Sequence, residues 1–183
     1  MEVIMLPSEE SLEKANSGEI DGDIARSKKV AQPYPNLRQI PVKLIEIQAV
    51  AFSKIPSLRI DKWNDLAGYK VTIVKGIKFI EHGTKNIPRE SVESISEAMH
   101  SLENDKTEII VIPRYTGINL TFKKEAYLIK QVSSVLQILP LYHFVNKKNT
   151  DLIPVLTATL KEMERSGEIK YIQRAYLESL VQD

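Results

Sequence analysis

The stretch Ser8-Glu-Glu-Ser-Leu-Glu-Lys-Ala-Asn-Ser-Gly-Glu-Ile-Asp-Gly-Asp-Ile-Ala-Arg26 combines the signals of a helix, a turn and a strand. A serine followed by two glutamates is typical of a helix start, and Asn16-Ser17-Gly18 is typical of a helix end. We predict a helix over residues 9–16 and a strand over residues 20–24. Ligands of open α/β sheets bind beyond the carboxyl ends of strands. We therefore expect Arg26 to present its guanidinium to a carboxylate.

The composition limits the classes of function that the chain can have. With 183 residues, of which 43% are hydrophobic, the chain can bury a substantial core. Its net charge of +1 gives no general attraction to nucleic acid or to anionic membranes. The absence of cysteine excludes thiolate catalysis, disulfides and thiolate metal sites. The apolar runs are too short to span a membrane.

Short helices and strands alternate along the rest of the chain. The patterns predict strands Val3 to Leu6, Tyr69 to Val74 and Glu108 to Ile112, and helices Asp61 to Gly68, Lys78 onward, Ser91 to Asn104, Asp151 to Arg165 and Glu168 to Val181. Two longer extended elements, Val42 to Phe52 and Ala126 to Leu139, bracket an internal α/β unit. We predict that the chain begins in one lobe, forms a second lobe with its middle part, and ends in the first lobe. The first lobe would comprise residues 1–54 and 135–183, and the second residues 55–134.

Several stretches in this order resemble one known family. They are Leu12 to Arg26, Val50 to Lys54, Asp65 to Gly76, Pro140 to Leu152 and Leu160 to Ile169. Together they are similar to the type II periplasmic solute-binding proteins, in the branch related to polar amino-acid binding proteins of ABC transporters. The resemblance implies an α/β fold of two lobes with mixed, mainly parallel sheets. It also implies a small-molecule site in the cleft between the lobes.

The resemblance carries expectations about function as well. It implies noncatalytic binding of a small polar solute, an amino acid or an organic anion, for ABC-type uptake or for sensing. The expected location is the periplasm, although no signal peptide lies in this chain, and the expected partners are a membrane permease or a receptor. No cofactor and no nucleic acid are expected. Three alternatives stay open: an enzyme on the same bilobal fold, such as a dehydratase or transferase, a signalling effector domain, or a degenerate member acting as an oligomeric interaction protein.

One departure from the family pattern concerns the start of the chain. Family members begin with a further strand and helix that have no counterpart in this sequence, so the resemblance predicts an N-terminally truncated fold. An uncovered sheet edge and apolar face are usually relieved by pairing with another chain. We therefore expect a homodimer as one outcome.

The candidate ligand-binding residues are Arg26, Lys75, Gly76, Ile77, Arg114 and Tyr115. The turn Lys75-Gly76-Ile77 follows the first strand of the second lobe, where backbone N–H groups can hold an anion. The family usually carries a hydroxyl residue where this chain has Ile77. Arg114 lies where amino-acid binders often present a carboxylate to the ligand's ammonium, and a cation there favours a second anionic group on the ligand.

Each of these residues also has a purely structural interpretation. Arg26 could form an ion pair with Asp23, and packing is a more common role than ligand stacking for a residue such as Tyr115. The histidines His82, His100 and His143 fall on separate predicted elements, so we expect no metal site. No nucleophile motif is present, and we expect no catalytic residue.

Overall fold

The computed structural model describes residues 2–123 and 128–182, and the chain forms two compact units. The first unit comprises Met1–Glu46 and Pro140–Ala175, and the second comprises Ile47–Leu139 and Tyr176–Asp183. The predicted lobes, residues 1–54 with 135–183 and residues 55–134, stay a prediction. The helices are α1 (Ser8–Ser17), α2 (Lys78–Gly83), α3 (Ile95–Glu103), α4 (Arg114–Lys123), α5 (Leu152–Ser166) and α6 (Glu168–Gln182). Shorter 3-10 helices cover Lys28–Ala31, Trp63–Gly68 and Lys147–Asn149.

In the described residues, seven strands accompany these helices: β1 (Gly22–Arg26), β2 (Leu37–Ser53), β3 (Val71–Val74), β4 (Arg89–Val92), β5 (Ile109–Pro113), β6 (Lys130–Gln131) and β7 (Gln137–Asn146). The ladders are mixed, because β3 runs parallel to β4 and β5 whereas β1–β7, β2–β5 and β2–β6 are antiparallel. Within the described ranges, no helix has the length and the hydropathy needed to cross a lipid bilayer.

The first unit is built around the contact of α1 with β1 and β7. Its core cluster consists of Leu12, Ala15, Leu37 and Phe144. The helix ends at Gly18, whose φ of 87° is left-handed and whose N–H donates to the Lys14 carbonyl at 3.1 Å. At the end of β7, the buried Asn146 donates from Nδ2 to the Ala15 carbonyl at 2.7 Å. The last turn of α1 is therefore fixed to the end of β7.

The second unit is a sheet with a core cluster on each face. The pairs Ala49–Pro113 and Phe52–Ile110 mark the register of β2 against β5, which in turn lies parallel to β3. One face packs against α2 through Ile80, and the other packs against α3 through Met99. Because both faces are covered, β5 and residues 49–52 of β2 are continuous apolar runs without alternation.

The prediction was most accurate for the helices with clear end signals. The structure confirms α1, α5 and α6 to within one or two residues, and Gly167 has the predicted left-handed conformation, with a φ of 82°. β4, α4 and the 3-10 helices Lys28–Ala31 and Lys147–Asn149 were not predicted. The predicted extended element from Ala126 to Leu139 is interrupted between β6 and β7. Residues 126 and 127, with which this predicted element starts, lie outside the described residues.

Three predicted strands need correction. The strand predicted from Val42 begins at Leu37 and therefore runs through Pro41. Residues 2–7 have no regular structure, and the side chains of Val3, Ile4 and Met5 are exposed, so the strand predicted over Val3 to Leu6 is wrong. A strand requires a ladder partner, and within the described chain this run has none. The strand after α1 begins at Gly22 instead of Ile20, because the Ile20 N–H still bonds to the Lys14 carbonyl of the helix cap.

The predicted helix from Ser91 begins later, at Ile95. Val92 matches the apolar spacing of the helix but belongs to β4. Ser94 provides the cap, accepting the Glu97 N–H on its hydroxyl at 3.1 Å. The element predicted over Asp61 to Gly68 is a 3-10 helix that begins at Trp63. The N–H groups of the two residues just before it, Asp61 and Lys62, bond to the Asp65 carboxylate.

A close approach of α4 to β2 gives a first prediction. A Cβ on Gly117 would lie 2.2 Å from Cε2 of the buried Phe52 ring. Gly117→Ala should therefore lower the free energy of unfolding by about 1–3 kcal/mol, despite the higher helix propensity of alanine. Urea unfolding measures the change. Gly68→Ala is the matched control because a Cβ there meets no atom within 4 Å, and equal effects of the two variants would contradict the close packing.

Candidate functional site

In the first unit, Arg26 is the last residue of β1 and its guanidinium contacts the first turn of α1. Nη1 donates to the Ser8 hydroxyl at 2.8 Å, and Nε lies 2.9 Å from Oδ2 of Asp23. The same carboxylate oxygen accepts the Ser11 hydroxyl at 2.9 Å. The Asp23 side chain is 5% exposed and that of Arg26 is 23% exposed. The structure thus places this predicted ligand-binding residue in an ion pair within its own unit.

An irregularity in β1 brings Asp23 and Arg26 together. Residues three apart in a regular strand point to opposite faces. On β7, however, their partners are Phe144 and Tyr142, which are two apart, so β1 accommodates one additional residue. Ala25 has a left-handed φ of 65° in this bulge. Bulges redirect side chains, and a left-handed alanine costs of order 1–3 kcal/mol, which the surrounding contacts must offset.

In the second unit, the predicted anion-binding turn is occupied by a carboxylate of the protein itself. Gly76 has a φ of 83°, and its N–H donates to Oε1 of Glu81 at 2.8 Å. Lys78 Nζ donates to the other carboxylate oxygen at 3.0 Å. These hydrogen bonds lower the pKa of Glu81 from its ordinary value of 4.5. The bond from the Gly76 N–H has the larger effect, and the bond from Lys78 has the second largest.

The residues on either side of Gly76 are also engaged. Lys75 forms an ion pair with Glu93. The Ile77 side chain is partly buried and packs against the clusters on both faces of the sheet, which accounts for an apolar residue at this position. Sequence reasoning missed Glu81, although a carboxylate close to the start of a short helix is a local signal that could have identified it.

Arg114 follows β5 directly and begins α4. Its Nη1 donates to Oε1 of Gln48 at 3.1 Å, and its buried Nε has no hydrogen-bond acceptor. Within the described ranges, no carboxylate forms an ion pair with this guanidinium. Arg114 is half-buried, and the neighbouring Tyr115 is 44% exposed. Arg114 therefore carries a positive charge that the described residues do not neutralise.

The candidate residues thus fall into three local groups. Arg26 lies in the first unit, whereas the turn at Gly76 and the pair Arg114–Gln48 lie in the second. Gln48 was missed because its partner lies 66 positions away in the sequence. The two arginines differ in chemistry, because Arg26 is balanced by a buried carboxylate and Arg114 contacts a neutral amide.

The histidines do not form a cluster. They lie on α2, α3 and β7, and the described part of the chain holds no group of three His, Cys, Asp or Glu side chains that could bind a metal. Burial lowers the pKa of His143 from 6.5, an effect that the charge of Asp23 partly opposes. His143 is therefore neutral at pH 7.

The Asp23–Arg26 pair leads to a prediction about stability. Arg26→Ala leaves the buried Asp23 carboxylate without its cation and should lower the free energy of unfolding by about 1–3 kcal/mol. The value is below that of a fully buried pair because Arg26 is partly exposed. Chemical denaturation at pH 7 measures it. Lys28→Ala, at an exposed position two residues later, removes the same charge and should change stability little; equal losses would contradict the pairing.

The Glu81 contact predicts a dependence of stability on pH. Because folding lowers the pKa of Glu81 below 4.5, its stabilising contribution is complete above that value and is lost as the pH falls through the folded pKa. The difference in unfolding free energy between wild type and Glu81→Gln should therefore be present at pH 7 and shrink as the pH falls below 4.5. Denaturation across this range tests it. Glu90→Gln, an exposed change on β4, controls for net charge, and a difference that grows with acid would refute the assignment.

Comparison with known proteins gives similarity in sequence and in structure. No family model matches the chain. A Shewanella oneidensis protein described as uncharacterized is 24% identical over 180 residues, which cover 93% of this chain and 68% of that protein. Among solved structures, the GluR0 ligand-binding core in complex with L-glutamate aligns with a TM-score of 0.75 at 13% identity, covering 96% of this chain and 80% of that one.

Two further solved structures have the same fold. A mutant of ArgBP from T. maritima aligns with a TM-score of 0.67 at 15% identity, covering 97% of this chain and 77% of that one. A histidine kinase sensor domain with similarity to periplasmic binding proteins aligns with a TM-score of 0.64 at 17% identity, covering 93% and 75%. The chain therefore has the type II periplasmic-binding-protein-like fold.

Proposed function

We propose that this chain binds a small solute carrying an anionic group, an amino acid or an organic anion, without transforming it. The observation that carries the proposal is Arg114, a half-buried guanidinium with no ion-pair partner among the described residues and a buried Nε without an acceptor. A desolvated guanidinium favours a carboxylate or phosphate oxygen, because such a pair gains charge-assisted hydrogen bonds.

Structures of the same fold support solute binding. ArgBP and the GluR0 core with L-glutamate are ligand-binding proteins, and the kinase domain is a sensor. We extend this role to the present chain as binding for ABC-type uptake, with a membrane permease as partner, or as sensing through a receptor. An extracytoplasmic location follows from the same proposal. The homodimer expected from the sequence remains a prediction.

The other candidate residues have secondary roles in this proposal. Tyr115 is exposed next to Arg114 and can stack on a planar group of the solute. Arg26, in the first unit, keeps N–H groups beyond those used by Ser8 and Asp23 and stays a predicted ligand-binding residue. The turn Lys75-Gly76-Ile77 can donate to a solute only when Glu81 releases the Gly76 N–H.

The surroundings of Arg114 favour binding over catalysis. General acid–base catalysis requires a titratable group within hydrogen-bond reach of the reacting atom. A guanidinium is a permanent cation in proteins, and an amide does not titrate. The pair Arg114–Gln48 can hold an anion but has no means of moving a proton, so a dehydratase- or transferase-like activity has no support in these contacts.

Calorimetry with L-glutamate, L-glutamine and succinate tests the proposal. For a probe that binds the wild type, Arg114→Gln should weaken affinity by about 2–4 kcal/mol, because the anion loses its charged partner. Arg59→Gln removes an exposed cation elsewhere in the second unit and serves as the control. The bound probe should be recovered chemically unchanged. Unaltered affinity in Arg114→Gln, or turnover of the probe, would contradict this function.

A further inference from the structure

We infer that Gln48 is a specificity-determining residue: its neutral amide orients Arg114 without neutralising it, so this position selects an anionic group on the solute. The inference rests on the proposed role of Arg114 in binding. It states in addition that the residue at position 48 determines whether the charge of Arg114 is neutralised by the protein or is left to pair with a solute.

The register of β2 and β5 places the two residues together. Ala49 pairs with Pro113, so the next position on each chain brings Gln48 opposite Arg114. Because side chains alternate along a strand, Gln48 continues the row of Phe52 and Val50 on β2. On the other side, Arg114 follows the row of Ile110 and Ile112, which belongs to the same core cluster. Two apolar rows thus end in one polar pair, at the carboxyl end of β5.

The hydrogen bond between them fixes geometry but not charge. The amide oxygen of Gln48 accepts from Nη1 of Arg114 at 3.1 Å and carries no net charge. Nε of Arg114 is buried and lacks an acceptor. A buried N–H without a partner is costly, and a charged one is more so. An anionic oxygen would satisfy both the unpaired donor and the uncompensated charge.

The charge arrangement at Arg26 is the opposite one, although its Nε, like that of Arg114, makes no well-aligned hydrogen bond. There the buried Asp23 carboxylate lies 2.9 Å from Nε and balances the guanidinium. Gln and Glu differ only in replacing an amide NH₂ with a carboxylate oxygen. Gln48→Glu would therefore convert Arg114 to the balanced state of Arg26 with almost no change of volume.

The first measurement needs no solute. The pKa of the carboxyl introduced by Gln48→Glu is read by carbon-13 NMR titration. Beside an uncompensated guanidinium it should fall at least about one unit below the ordinary glutamate value of about 4.3. A value near 4.3 would overturn the inference, because Arg114 would then not be an unbalanced charge next to Gln48.

The second measurement is calorimetry with L-glutamate, succinate and inorganic phosphate. Relative to wild type, Gln48→Glu should lower the affinity for an anion at least about tenfold. Gln48→Met keeps the size without charge but removes the hydrogen bond that orients Arg114, so its loss of affinity should be clearly smaller than that of Gln48→Glu. Gln32→Glu adds a carboxylate at an exposed position of the first unit and should have little effect.

The outcomes separate this inference from the function on which it rests. A loss of affinity in Gln48→Glu that clearly exceeds the loss in Gln48→Met supports a charge-selecting role. Equal losses in both variants overturn it, because the effect would then follow from shape. Anion binding that persists in Gln48→Glu contradicts the specificity role of Gln48 but not the proposed function of the chain. Failure of the wild type to bind any of the three anions, with the introduced carboxyl still strongly acidic, contradicts the proposed function and with it the specificity role.

Discussion

The pairing of β2 with β5 is the constraint on which the second unit depends. Residues 49–52 and 109–112 are almost completely buried, and they contribute to the core clusters on both faces of the sheet. Backbone groups at such positions have no access to water, so the antiparallel ladder must satisfy them. A shift of one residue would exchange the two faces of β2. The register is therefore strongly specified by the packing on either side.

This pairing also determines what lies at the ends of the strands. The apolar rows cannot continue past the edge of the core, and the first polar residues beyond it face each other across the ladder. In the second unit these residues are Gln48 and Arg114, and the resulting guanidinium is held by an amide. In the first unit a bulge turns Arg26 back towards a buried carboxylate. Arg26 is therefore neutralised by an ion pair, whereas Arg114 contacts only a neutral amide. The backbone geometry around each strand end causes this difference.

Local signals account for what could be predicted from the sequence. The stop at Gly18 and the left-handed Gly167 determine the ends of α1 and α5, and both depend only on nearby residues. The resemblance of ordered stretches identified the fold, which the structural comparisons confirm.

Features that depend on distant contacts could not be predicted in this way. The sequence of α4 contains threonine, asparagine and glycine, which disfavour helix, and its position depends on contact of Gly117 with Phe52. The partner of Arg114 required the register of two strands far apart in the chain. The ion pair between Asp23 and Arg26 was considered only as a surface pair, because the burial of Asp23 depends on α1 and β7 packing around it.

The bulge in β1 has a consequence for how related sequences are aligned. Because β1 holds an additional residue between Asp23 and Arg26, the carboxylate and the guanidinium that meet there are three positions apart. A homologue with a regular strand could keep the same pair only at a spacing of two or four. An alignment that inserts a gap within residues 23–26 would therefore mark a real difference in backbone geometry. Substitution of Arg26 should be accompanied by substitution of Asp23, since the buried carboxylate would otherwise be left without its cation.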